Sequence, residues 1–337
     1  MADLPPEIGV TFEALAALER DFEDVEAETL RLQHTLGKPL YKKREELVSK
    51  IPNFWPLVLE QAPPDLDQYI QPNDSNVLLL SLTSVSVSHF EIEDGGKGDP
   101  RSISIKLEFA GNDYFEDKVL EKKFWHRRSR SGYSGLVSEP VPIKWKPEKD
   151  LTHGLVDLAV KVWEEDKKQG RVNGEGNDKK KVKSADWTND QKALRQKIDA
   201  YGLGGVSFFC WFGYRGHYVS AEENAIAVEE DKKKRADRAE GKAPETKEAE
   251  EDEDEDDDED DEEDPFALEI FPDGDNLAIA FAEDIWPNAI KYFVQAQEAD
   301  AMSDADFEED DGDDMEEMIE DDDDDDDEAP PLKRVKA

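Results

Sequence analysis

The sequence has few of the parts that enzymes, secreted domains and membrane proteins are built from. It has one cysteine, Cys210, in 337 residues. No disulfide can form within the chain, which fits a reducing compartment. Its five histidines, His34, His89, His126, His153 and His217, are scattered, and none pairs with Cys or His at metal-ligand spacing. Neither G-x-S-x-G nor H-E-x-x-H occurs. The glycines at 202–205 are not followed by the Lys-Ser/Thr of a phosphate-binding loop, and they read as a helix end. We therefore expect no enzyme, no catalytic residue, no metal and no cofactor. The longest apolar stretch, "VLLLSLTSVSV", is too short and too polar to span a bilayer. The opening "MADLPPEIGV" lacks the apolar centre of a secretory signal.

What the chain has in excess is negative charge. It carries 86 Asp and Glu against 42 Lys and Arg, a net charge of -44. Residues 250–264 are acidic without interruption, and residues 304–328 add nineteen acids with no base. Without these two runs the balance is 52 acids to 42 bases, so the rest is only mildly acidic. Such runs repel themselves and bury nothing, so we expect disorder over 229–264 and 297–337. They would repel nucleic acid and anionic membrane and attract a very basic partner. An extended chain advances about 3.3 Å per residue, close to the spacing of about 3.4 Å between charges on one DNA strand. An aspartate run therefore matches the charge spacing of a nucleic-acid strand. Glu250, Asp252, Asp256, Asp260, Asp264, Asp310, Asp321, Asp324 and Asp327 are the candidate contacts in these runs. The plain alternative is a solubilising tail. Basic clusters at 179–183, 231–238 and 333–336 have the composition of nuclear-import signals. Ser303, with acids behind it, has the pattern favoured by acidophilic kinases.

Residues 12–36 read as a helix after a flexible 1–11 segment. Leu15, Leu18, Phe22, Val25, Thr29, Leu32 and Leu36 recur in steps of three and four, a heptad seam with charged residues on the other faces. So narrow an apolar stripe predicts a partner helix, and hence self-association, over packing on its own domain. The helix is expected to bend at Pro39 and stop before Pro52, giving a dimerisation helix over 12–51. From Asn76 the period changes to two. Leu78, Leu80, Leu82, Val85 and Val87 predict one strand and Ile103, Ile105, Leu107 and Phe109 another. A further strand follows "NDYF", and "PVPIKW" reads as the fourth of an antiparallel meander. Helices are expected over 151–165 and 187–201, with a loop between them, then an aromatic cluster in "SFFCWF" and helical segments broken at Pro287. The fold class is α+β, with the folded domain over 52–228 and 265–296. Phe54, Trp55, Trp211, Trp286 and Tyr292 are assigned to its core.

Several blocks in order carry a resemblance: "KPLYKKREELVSKIPNFWPLVL", "NDYFEDKVLEKKF", "PIKWKPEKDLT", "SFFCWF" and "AEDIWPNAIKYF", ahead of an acidic C-terminus. With these the chain resembles the nucleosome assembly protein family, in its SET (template-activating factor) branch and of fungal type, over most of residues 12–296. The loops at 170–184 and 229–264 depart from the compact family pattern. The resemblance implies a long dimerisation helix joined to an "earmuff" domain with an antiparallel sheet flanked by helices. It also implies a nuclear homodimer that binds core histones through the earmuff surface and acidic tail and promotes nucleosome assembly without ATP. Earmuff acids at two turns, Glu91, Glu93 and Asp94, then Asp113, Glu116 and Asp117, are candidate contacts, although turns favour such residues anyway. Sequence-specific nucleic-acid binding is not expected. The alternatives are an acidic adaptor that regulates a histone acetyltransferase or a phosphatase, and a general import or ribosome-assembly factor.

Overall fold

The computed structural model describes residues 12–170, 187–202, 205–239 and 267–310. The chain divides into two units, residues 1–293 and 294–337. The second is described only where it continues the last helix.

Helix α1, Phe12–Val48, runs unbroken through Pro39 and ends in a turn at 49–51. The dimerisation segment therefore stops being helical three residues before the expected bound. Asn53, in the left-handed region at φ 55°, starts α2, Phe54–Glu60, which buries Phe54, Trp55, Val58 and Leu59. A single turn α3, Pro64–Asp67, leads to α4, Pro72–Ser81.

Helix α4 corrects the strand expected from Asn76. Pro72 occupies the first turn, and Gln71 N–H donates to the Asp74 carboxylate at 3.0 Å, so the start is capped as a helix. Val77, Leu78 and Ser81 then face the core at helical spacing, while Leu80 points to solvent. The alternation of Leu78, Leu80 and Leu82 was accidental. Only from Leu82 does the chain extend.

Four strands follow, β1 Leu82–Ser88, β2 Ile103–Phe109, β3 Val119–Arg128 and β4 Ser134–Ser138, in an antiparallel meander of order β1-β2-β3-β4. The fourth strand is "SGLVS" rather than the expected "PVPIKW", whose Trp145 makes only an isolated bridge to Phe115. Two prolines in that hexapeptide remove ladder donors. The registers Val87 to Ile105 and Leu107 to Leu120 place the apolar rows on one face.

Helices α5, Leu155–Lys168, and α6, Asn189–Tyr201, cover that core with a 3-10 segment, Phe208–Gly213. Thr188 caps α6 by accepting from Gln191 N–H at 3.2 Å. Phe208, Phe209, Trp211 and Phe212 are fully buried, and Trp211 Nε1 donates to Gly274 O at 2.8 Å. Gly202 ends α6 at φ 71°, the helix-end role expected of it. Helix α7, Ala221–Ala239, then α8, Gly274–Ile279, a π-helical turn Ala280–Ile285, and α9, Ala289–Asp310, complete the order.

Two disorder boundaries are corrected here. Residues 229–239 belong to α7, and residues 297–310 continue α9. The rest of both expected disordered segments, and the basic clusters at 179–183 and 333–336, lie outside the described residues. No helix among the described residues is long and apolar enough to cross a membrane.

Candidate functional site

The face of α1 turned to its own domain is the charged one. Asp231 of α7 receives Arg20 from α1, Arg128 Nη1 from β3 at 3.6 Å and Arg235 Nε at 3.2 Å. Arg235 also reaches Asp24 of α1 at 2.5 Å, and Arg128 reaches Glu23 at 2.5 Å. Arg31 Nη2 donates to Gly98 O at 2.6 Å. Isolated exposed ion pairs contribute little, but a linked, half-buried set fixes geometry. It clamps α1 and α7 against the sheet. It also explains why the basic cluster at 231–238 is helical rather than a free loop. Asp231 and Arg235 are held in the clamp, and only Lys232, Lys233 and Lys234 are exposed on this helix between them.

The apolar face of α1 has no cover. Leu15, Leu18, Phe22, Val25, Leu32 and Leu36 are 47–64% exposed, and Thr29 is exposed with its hydroxyl donating to Val25 O at 2.8 Å. The seam is longer than its seven expected members. Leu40 and Leu47, each 64% exposed, extend it toward the end of α1. Both leucines stand one residue past the strict heptad positions, which fall on Pro39 and Glu46, so the heptad count stopped at Leu36 although the helical stripe goes on.

At its C-terminal end α1 is anchored by Arg44. Its guanidinium donates to Trp286 O, lies 3.3 Å from Pro287 O, and sits over the rings of Trp286 and Tyr41 at 4.7 and 4.8 Å. The π-helical turn makes this possible. Trp286 N–H bonds to Phe281 O, five residues back, at 3.0 Å, and such turns redirect carbonyls. Asp284 steadies the turn by accepting from Asn288 Nδ2 at 2.8 Å and from the Tyr292 hydroxyl at 2.9 Å. Two of the recognisable sequence blocks, around Arg44 and around Asp284–Asn288, are thus the two halves of one joint. Phe54, Trp55, Trp211 and Tyr292 are buried as expected, while Trp286 is half-buried at the joint.

The six earmuff acids separate by what they hold. Glu91 is committed to its own loop, because it accepts from Asp99 N–H and Ser102 Oγ, each at 3.0 Å, and from Arg127 at 3.0 Å. Asp117 accepts from Lys144 N–H at 2.7 Å. Glu93 is half-buried, Asp94, Asp113 and Glu116 are exposed, and Asp94 has Lys38 at 3.9 Å. Of the acidic-run candidates, Asp310 is the last residue of α9, and Glu250, Asp252, Asp256, Asp260, Asp264, Asp321, Asp324 and Asp327 lie outside the described residues.

Sequence reasoning missed the buried cation of the core. Lys122 stands in the apolar row of β3, fully buried, and donates to Glu139 O, Phe212 O and Tyr214 O at 3.0, 3.1 and 2.9 Å. Burial pushes its pKa down to about 7, against the pull of Glu269 and Glu139. Asp99, in the loop before β2, is drawn upward by burial, but hydrogen bonds from His126 and Arg101 outweigh this and hold it below the usual carboxylate range. Among the described residues no cluster of His, Cys, Asp and Glu could hold a metal ion. Burial raises the Cys210 thiol far above its ordinary value, so it is not a nucleophile.

The nucleosome assembly protein family model matches residues 16–296. A putative nucleosome assembly protein of Schizosaccharomyces pombe is 36% identical over 156 residues, 43% of this chain and 61% of that one. Protein SET of Drosophila melanogaster is 36% identical over 118 residues, 34% of this chain and 41% of that one. The chain thus matches less than two thirds of either relative's length. Vacuolar protein sorting-associated protein 75 of Saccharomyces cerevisiae is 25% identical over 310 residues, 89% of this chain and 86% of that one. A crystal structure of Vps75 aligns with 85% of this chain and 98% of its own at a TM-score of 0.49 and 23% identity. Another Vps75 structure describes that protein as a histone chaperone. The family match spans both the clamped helix and the domain beneath it, and the chain belongs to the nucleosome assembly protein family.

Proposed function

We propose that this protein is a histone chaperone that works as a homodimer in the nucleus. The observation that carries the reading is the orientation of α1, whose charged face is spent on its own domain while its heptad seam is left in water. A second copy of the same seam is the natural cover. The dimer would present two domains and two sets of acidic runs to one basic cargo, raising effective concentration. The runs would screen histone charge, and the cargo would pass to DNA once the geometry is right, with no nucleotide hydrolysed. Affinity is expected to fall steeply with salt, because exposed charges are screened within about 8 Å at physiological ionic strength. Regulation of an acetyltransferase or a phosphatase is the second reading.

The test is deposition. Purified protein, core histones, relaxed circular DNA and topoisomerase are mixed without ATP. Supercoils should accumulate with the chaperone well beyond the level given by polyglutamate of equal charge. Equal yields with polyglutamate would reduce the folded domain to a charge carrier.

A further inference from the structure

A groove of about 1300 Å³ lies between α1, the sheet and the π-helical turn. Thr83, Ser84, Val85, Ser86 and Val87 all line it. Successive strand residues point to opposite faces. Five in a row can line one groove where it wraps the strand's edge, and here it also reaches over the sheet at Ile103, Glu108, His126 and Leu136. Strand β1 is the end of the sheet, and its outer edge pairs with no strand among the described residues. Edge strands are usually blunted by lysine, proline or a bulge. The sequence of β1, "LTSVSVS", has no charge and no proline, and its one irregularity falls at Leu82/Ser84, before the regular part. This edge is recessed but not blocked.

The groove also has a sign. Glu45, Glu93, Glu108 and Glu283 line it, and none forms an ion pair among the described residues. Of the cations lining it, Arg44 is engaged with carbonyls, Arg101 with Asp99 at 2.7 Å, and Lys38 leans toward Asp94. That leaves Lys42, and Arg44 whose carbonyl partners do not cancel its charge, against four carboxylates. Burial lowers the pKa of His34 and of His89, which adds no charge near neutral pH.

We propose that this groove takes an extended, lysine- and arginine-bearing segment of the protein cargo as a fifth strand beside β1. The proposal rests on the histone reading for the identity of the cargo. It adds a second mode of contact, main-chain pairing, which acidic runs cannot supply. The five edge residues span roughly 17 Å, so the segment is about five to seven residues long.

The test uses the full-length protein and a nine-residue synthetic peptide alternating lysine with threonine and valine. Two further peptides carry backbone N-methyl groups on alternate residues, one on the odd set and one on the even set. In an added strand only one set turns its N–H toward β1. One methylated peptide should therefore bind roughly tenfold or more weakly, a loss of two or three hydrogen bonds, and the other should bind like the parent. Hydrogen exchange should slow within residues 83–88 when the parent binds. Equal affinity of all three peptides, or protection elsewhere than β1, would overturn the proposal. So would protection of β1 in the free protein that disappears on deletion of residues 329–337, because the occupant would then be this chain. If the peptide fails to bind while core histones still do, the groove fails and the chaperone reading stands. Loss of both removes both.

Discussion

A chain with glutamate at Leu18, Phe22, Val25 and Leu32 is expected to sediment at the mass of one chain, where the parent sediments at twice that. All four side chains are more than half exposed on α1. Burying a leucine or phenylalanine contributes about 1.5–3 kcal/mol, and a symmetric pair of helices buries each of them twice. Replacing them with carboxylates removes that gain and sets like charges against each other across the seam. The substitutions leave the other face of α1 intact. Arg20, Glu23, Asp24 and Arg31 still hold the helix to α7, β3 and the loop at Gly98. The monomer should therefore stay folded, with unchanged helical circular dichroism and a similar unfolding midpoint for the domain. A variant that remains dimeric would show that some other surface makes the pair. One that unfolds outright would show that the clamp depends on the dimer.

Lys122→Met should destabilise the domain by about 3 kcal/mol at pH 7. Methionine fills the same space but donates nothing, so three inward carbonyls lose a donor. Those carbonyls belong to the segment after β4 and to the aromatic 3-10 turn, so the ammonium ties the sheet to the layer above it. The pH dependence carries a specific sign. The folded-state pKa is depressed to about 7 from 10.5, so between these values the unfolded chain binds more protons than the folded one. Stability of the parent then rises with pH across that window, and the variant lacks this slope. The gap between them, read from urea unfolding, should widen by about 1–2 kcal/mol from pH 7 to pH 9. A gap that is constant or narrows on going alkaline would mean that Lys122 keeps its proton throughout. A variant as stable as the parent would mean that the carbonyls find other donors.

The elements that were legible in the sequence were those whose pattern has one physical cause. The seam was one, because Leu15 to Leu36 repeat at heptad spacing with nothing else to explain it, and the structure leaves those side chains uncovered. Strand β2 was another, since both its alternation and its turn residues agree with its register against β1 and β3. The blocks around Arg44 and Asp284 could be recognised, yet nothing local said that they meet. That contact joins residues more than 240 positions apart.

The misreadings have equally definite causes. Leu78 and Leu80 alternate as in a strand, but the cap made by Asp74 settles the segment as a helix. Helix α7 reads as a polar, basic-to-acidic loop until Asp231 and Arg235 find their partners on α1 and β3. Strand β4 is short and mostly glycine and serine, and its pairing comes from β3 rather than from its own propensity. Lys122 gave no warning, since a lysine inside an apolar strand normally faces water, and only the convergence of three carbonyls makes burial possible. Glu91 shows the converse. It sits at a turn as a surface acid would, yet its carboxylate is already taken by Asp99, Ser102 and Arg127.

The most direct measurement is a titration of core histones into two proteins, the full chain and a version lacking residues 250–264 and 304–337, at 0.15 M and 0.5 M salt with mass read by light scattering. The account predicts that the trimmed protein remains a dimer and still binds histones in preference to an unrelated basic protein. Its affinity should be lower and its salt dependence shallower than those of the full chain. Abolished binding in the trimmed dimer, or equal binding of any basic protein by the full chain, would contradict it and leave the aspartates as the whole of the interaction.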